Sequence, residues 1–572
     1  MKIQKYHFSR IKKIVTALFC AALCVSSLPS FSQSRSFAGL PILSPERPVG
    51  YEADLNDTPE FEHLLRIYDR LVEAKGDRRM PVPALHLRDE EAYVASMDYR
   101  LLDISLEKKA YDIAKKYGDG AIAFLLAHEL VHYYEKHGWK SQFADDVNDL
   151  ETGKVLKLLD ERVLNEVQAD VLGGFLAYSA GFGIFDKGGD LINDLYKDYK
   201  MQDAIAGYPS KKDRITLSDR NKTQVQNLAN LFEMASYLVV SGRYSEAYTY
   251  YQYLLNKYQS RELYNNAGLT CMLAATTLFD PKVMIFDFPG MLDIEFSGDS
   301  RNASQKLEID RLINESINHF ETAILMNKNY VLPYVNKASA NIINGINQSD
   351  EILKKISFDK ARFILDVQME ELKNLNPELD YTPFDDEILI LRSLLSYYED
   401  NKPDAILWMR EASHTGNETA KKNLAVLENV APKPQSNEQK QKIDIGGTNA
   451  KEFLELGMVS RNRTRINEKN LFVYVEQRAS EYKVMMHQYE GNEQEFGYDL
   501  AFLVNKDKLT KPFFGAITIG SDKDDLIAQW GSPKRSFSHL NGEILLFHNG
   551  VIIITNSNNK IIKVSDYSVK TK

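Results

Sequence analysis

Apolar positions recur at helical spacing through most of residues 50–220 and again from 223 to 430. "AIAFLLAHELVHYYEKH" (121–137), apolar throughout before His128, and "DERVLNEVQADVLGGFLAYSAGF" (160–182) both read as helices. One segment breaks this rhythm. In "EAYVASMDYRLLDIS" (91–105), Tyr93–Ala95 and Leu101–Ile104 carry strand-compatible residues and predict two strands. Residues 432–447, "PKPQSNEQKQKIDIGG", are polar with two prolines and two glycines and read as a linker. Beyond it, "NLFVYVEQ", "YKVMMHQY", "GEILLFH", "GVIIITN" and "KIIKVSD" alternate or run apolar between turn signals such as Asn541-Gly542 and Asn549-Gly550, which predicts a β-rich domain over 448–572.

The helical middle carries weak repeats. Ala235, Leu238, Gly242, Tyr244, Ala247, Tyr251 and Leu254 fall at tetratricopeptide spacing, and Phe320, Ala323, Pro333, Tyr334 and Ala338 repeat it. Ala405, Met409 and Ala412 give a third partial copy. Small residues at these places let paired helices approach closely. An irregular helical bundle would use the same residues as core, and helix pairs of tetratricopeptide type are the reading preferred for 223–430.

At 572 residues the chain exceeds what one core serves, so the fold class expected is multidomain and mainly α, with a small α+β domain at the C-terminus. A net charge of −10 argues against a nucleic-acid partner, which calls for a basic footprint. Lys2, Lys5, Arg10, Lys12 and Lys13 precede the apolar run "IVTALFCAALCVSSL", and small residues follow at Ser30 and Ser32. That order reads as a secretory signal over 1–32. No later stretch approaches the ~20 apolar residues of a membrane span. The expectation is therefore an exported, periplasmic chain without a transmembrane segment after cleavage. Cys271 is then its one cysteine, read as a small buried hydrophobe.

Candidate chemistry lies in His128-Glu129-Leu130-Val131-His132. Residues four apart share one helix face, so both imidazoles can reach one ion, while Glu129 points to the side, toward a water at that ion. In a chain with 11 histidines such a pattern arises by chance on the order of once in a hundred, so a second signal is needed. His137 does not supply it as a ligand, because the ten-residue histidine spacing of metzincins falls on Gly138. Glu166 does. It offers a third, carboxylate ligand, and Asp170 one turn on offers an acceptor that can orient a ligating histidine. Ala169, Gly173 and Gly174 would let the second helix pack closely on the first.

With "HELVH", then "NEVQAD" and "LAYSAGF", the chain resembles the HtpX-like zinc metallopeptidases, peptidase family M-48, over roughly residues 55–220. These are gluzincins, and many exported bacterial members carry tetratricopeptide repeats after the catalytic domain. The resemblance implies one Zn²⁺ on His128, His132 and Glu166, with Glu129 as general base and peptide-bond hydrolysis of protein or peptide substrates as the activity. "AGYPSKKDRITL" resembles the family's His-Pro…Arg segment through Pro209, Arg214 and Ile215, with Tyr208 where the family has histidine. Tyr208 and Arg214 are accordingly the oxyanion candidates. By the same analogy the extended segment at 92–106 is an edge strand that receives substrate by β-addition. From about 516 the order of strand end, short helix and strands looks like the SmpA/OmlA-type envelope lipoprotein fold. A periplasmic chaperone or assembly scaffold with a latent zinc site, binding envelope proteins through its repeats, is the competing expectation.

Overall fold

The computed structural model describes residues 39–41, 55–89, 91, 93–99, 101–137, 162–203, 210–292, 305–430, 460–476, 482–489, 499–505, 512–539, 542–548 and 550–569. The expected signal segment, the linker and Tyr208 lie outside the described residues.

The first part runs β1 (Gly39–Pro41), α1 (Pro59–Lys75), β2 (Ala84–Arg88), β3 (Tyr93–Asp98), β4 (Asp103–Glu107), α2 (Lys108–Lys115), α3 (Asp119–Tyr134), α4 (Arg162–Ala177) and α5 (Gly188–Asp198). Helix α1 starts where Thr58 accepts a hydrogen bond from the Phe61 amide, has Pro59 in its first turn, and stops at Gly76, whose φ of 61° is left-handed. The sheet order is β1-β3-β4-β2; β3 is antiparallel to β1 and β4, and β2 is parallel to β4. Every residue of β3 and β4 is buried, so this sheet is covered on both faces. The two strands expected within 91–105 are β3 and β4, while Leu101 and Leu102 form the turn between them, Leu102 at φ 56°. The outer edge of β3 is not open along its whole length. Gly39 pairs with Ser96 and Pro41 with Tyr93, with a register irregularity between them.

The helical part runs α6 (Lys211–Val240), α7 (Tyr244–Leu255), α8 (Arg261–Thr276), α9 (Gln305–Met326), α10 (Leu332–Asn347), α11 (Glu351–Phe363), α12 (Met369–Leu375), α13 (Thr382–Tyr398), α14 (Lys402–His414) and α15 (Glu418–Leu427). Helix α6 crosses the boundary expected near 220–223 without a break, so the first part and the helical part share one 30-residue element. The apolar and small repeat residues are core: Ala235, Leu238, Ala247, Tyr251, Phe320 and Ala323 are fully buried, as are Ala405, Met409 and Ala412. Close approach is real at Gly268, where a Cβ would lie 2.7 Å from the Phe320 ring. No helix among the described residues is long and apolar enough to cross a membrane.

The last part is one antiparallel sheet with a helix on it. Strands β5 (Ser460–Arg465), β6 (Asn470–Glu476), β7 (Tyr482–Tyr489) and β8 (Leu500–Asn505) precede helix α16 (Lys523–Trp530). Then follow β9 (Arg535–His539), β10 (Gly542–Leu546), β11 (Val551–Thr555) and β12 (Ile561–Val569). The eight strands lie in the order β5-β6-β7-β8-β12-β11-β10-β9. "ITIGS" is not a strand end: the Phe514–Ile517 and Asp522–Lys560 pairings around it are isolated bridges before α16. One sheet face, with Phe472, Met485, Phe502 and Leu546, joins the core of α6, α7 and α8; the other, with Val484, Leu503 and Val564, packs on Trp530 and Leu526 of α16. The architecture is thus mainly helical with a distinct C-terminal β-sheet region.

Glu233 on α6 ties that sheet to the helices. It accepts from Lys483 on β7 and Lys563 on β12. Burial works against its charge, but the two ammonium groups outweigh burial and hold its carboxyl at about 2, below the ordinary 4.5. Because the folded value is the lower one, the stabilisation is complete above pH ~4.5 and is lost as pH falls toward ~2. The shift corresponds to on the order of 3 kcal/mol. Glu233→Gln is expected to lower the unfolding midpoint at pH 7, and the gap to wild type should shrink between pH ~5 and ~2 in a pH series of denaturant melts. A gap that stays constant with pH would count against this role for the carboxylate.

Candidate metal centre

Helix α3 is buried on almost every side, from Ala121 to Tyr134, because its sequence is apolar all round rather than along one stripe. It therefore runs through the middle of its part of the molecule, with β3 on one side and α4 on another. Helix α4 comes unusually near. A Cβ on Gly173 would lie 2.9 Å from the backbone nitrogen of His128 and 3.1 Å from the carbonyl carbon of Ala127, so only glycine fits. Ala169, one turn earlier, is fully buried at the same contact. Gly174 turns the other way, toward Val225 of α6.

That contact brings Glu166 and Asp170 to the histidines. Nδ1 of His128 donates to Asp170 Oδ1 at 2.9 Å. Nδ1 of His132 lies 2.9 Å from Nδ1 of His137. With these nitrogens engaged, the two Nε2 atoms converge at 3.0 Å, and each is 3.4 Å from an oxygen of Glu166. One ligand atom from each of His128, His132 and Glu166 falls within 4.8 Å of the others. Oε2 of Glu129 and Oε2 of Glu166 are buried without a hydrogen-bond partner.

Converging lone pairs of this kind need positive charge between them. Protons can supply it. Burial disfavours the His128 imidazolium, yet the carboxylates of Asp170 and Glu166 outweigh burial and push its pKa up to about 10. Burial and the charges of His128, His137 and Arg214 hold His132 neutral, well below the usual range. Burial pushes Glu129 up to about 8, with the His128 charge opposing it, and the backbone amide of Met97 on β3 donates to it. A metal ion would satisfy His128, His132 and Glu166 at once. Two imidazoles and a carboxylate, with an unpartnered oxygen left on Glu166, fit such an ion.

The surroundings hold the constellation in place. The hydroxyl of Tyr99, just after β3, donates to the His132 carbonyl at 2.7 Å. Arg214, in the first turn of α6, is buried with Nη2 3.9 Å from Asp170 Oδ1, behind His128. Its Nε and Nη1 have no hydrogen-bond partner. Helix α3 stops at Tyr134, and Lys136 just beyond it is left-handed at φ 59°. The consequence is that His137, set aside in sequence as a ligand, packs on His132.

The Gly173 contact predicts a sharp cost. Gly173→Ala should destabilise the protein by about 1–3 kcal/mol through forced separation of α3 and α4, read as a lower thermal midpoint. It should also weaken metal uptake, read by metal analysis after dialysis. Unchanged values for both would show that the helices yield freely here. The chain matches no family model and no curated protein.

Proposed function

We propose that this protein is a zinc-dependent endopeptidase resembling the HtpX-like peptidases of family M-48. In this reading a gluzincin domain spans about 50–220, tetratricopeptide-like helix pairs span 223–430, and the β-rich part carries an SmpA/OmlA-like module from about 516. The observation that carries it is the buried convergence of His128, His132 and Glu166 beside the unpartnered carboxylate oxygen of Glu129. The reading includes export to a periplasm, protein or peptide substrates, and a part in envelope protein quality control.

Zn²⁺ on His128, His132 and Glu166 would acidify water and polarise the scissile carbonyl. The chain's own groups do the rest. Asp170 keeps the proton of His128 on Nδ1, leaving Nε2 as the donor atom, and Arg214 offsets the Asp170 charge. Glu129 takes the proton of the attacking water at its free Oε2 and returns it to the leaving amine nitrogen. A nearby divalent cation would favour the ionised carboxylate, the form in which Glu129 acts as a base. Nε and Nη1 of Arg214 are donors without partners, which supports it as an oxyanion donor. Tyr208 remains the other candidate. Strand β3, whose Met97 amide touches Glu129, is the element on which an extended peptide would lie.

A second reading has its own support. Glu129 is 1 % exposed, and β1 already pairs with β3 from Tyr93 to Ser96. Both favour a resting state that is closed to peptides, as a scaffold with a latent site would be.

Glu129→Gln separates these readings. It is expected to keep one zinc per chain while cleavage of an unfolded protein drops by at least about a thousandfold, measured as fragment release against wild type. Equal cleavage by the two proteins would sink the assignment of Glu129. Zinc uptake with no cleavage by either would favour the latent scaffold.

A further inference from the structure

The two candidate ligand histidines are supported by different chemistries. His128 has a carboxylate behind it, while His132 has an imidazole, that of His137. A histidine that offers a lone pair from one ring nitrogen carries its proton on the other. Nε2 of His132 is the atom that faces the site, 3.0 Å from His128 Nε2 and 3.4 Å from Glu166 Oε1. Its proton therefore sits on Nδ1 and points along the 2.9 Å contact to Nδ1 of His137. His137 must accept there and carry its own proton on Nε2.

The chain is shaped to make this contact. Five residues further along a straight helix, a side chain lies about 140° round the axis from where it began, at 100° per residue. His137 could not reach His132 on such a helix. The helix instead ends at Tyr134, and Lys136 takes a left-handed φ of 59°, a conformation that costs a non-glycine residue of order 1 kcal/mol. That turn brings the His137 ring back to His132, with centroids 4.9 Å apart and planes at 82°. His137 is 3 % exposed, so water does not compete for the contact.

We propose that His137 is a positioning residue for the metal centre: by accepting the Nδ1 proton of His132 it fixes that ligand's tautomer and ring angle. The inference rests on the metal-site part of the peptidase reading. A neutral acceptor leaves His132 a weaker electron donor than His128, whose partner is a carboxylate, and so keeps the ion more Lewis-acidic than two carboxylate-backed histidines would.

The test uses the full-length protein and Zn²⁺ alone, titrated against a chromophoric chelator. His137→Phe removes the acceptor, whereas His137→Asn puts an amide oxygen where Nδ1 stood. Zinc affinity is expected to fall about 10–100-fold in His137→Phe and to stay near wild type in His137→Asn. The visible absorption of the Co²⁺-loaded protein should change shape in the first variant only. Nitrogen-15 shifts of the imidazoles in zinc-loaded wild type give the same answer without substitution, with His132 protonated on Nδ1 and His137 on Nε2. Equal affinity and spectra in His137→Phe and wild type would overturn the inference, as would equal losses in both variants or the opposite tautomers. A wild-type chain that takes up no zinc would instead overturn the metal reading itself, and this inference with it.

Discussion

Everything around the candidate centre depends on how near two helices can come. The backbone of α4 at Gly173 lies against the backbone of α3 at His128, with room for no Cβ between them. A side chain of even one carbon there would hold the helices apart, and Glu166 and Asp170, each within 3.4 Å of a histidine nitrogen, would lose that reach. Burial follows from the same contact. Charges that would be cheap in water stand here in a medium that penalises each of them singly and rewards only a matched set. Histidines, carboxylates and Arg214 are therefore tolerable together and costly apart.

Much of this site was legible because helices write themselves locally. His128 and His132, like Glu166 and Asp170, are four apart, and that spacing places both members of each pair on one face whatever the tertiary structure. The small residues at Ala169 and Gly173 announced the close packing. His137 was not legible, since its position depends on a left-handed Lys136, and a lysine gives no hint of a positive φ. The covering of β3 by Gly39–Pro41 was invisible for a related reason: a three-residue pairing leaves no periodic signal.

The fold divides along similar lines. A mainly helical chain with a β-rich end could be read from periodicity, and the five strands named in the last part are all present. Three others were missed there, each for a physical cause. Ser460–Arg465 is wholly polar, as suits the edge of a sheet. Leu500–Asn505 is buried on both faces and so does not alternate, while Arg535–His539 carries one apolar residue among polar ones. Ala84–Arg88 escaped notice in the first part because its partner β4 is parallel and β3 intervenes in the chain. The expected division near 220 met a helix that pays it no attention.

That helix has a mechanical meaning. Arg214 faces Asp170 at one end of α6, and Glu233 grips two strands of the C-terminal sheet from the other. The two are separated by nineteen residues of unbroken helix, roughly 28 Å at 1.5 Å per residue. A rod of that length, clamped by charge at both ends, transmits axial displacement better than it absorbs it. It joins the sheet held by Glu233 to the guanidinium that lies beside the acid behind His128.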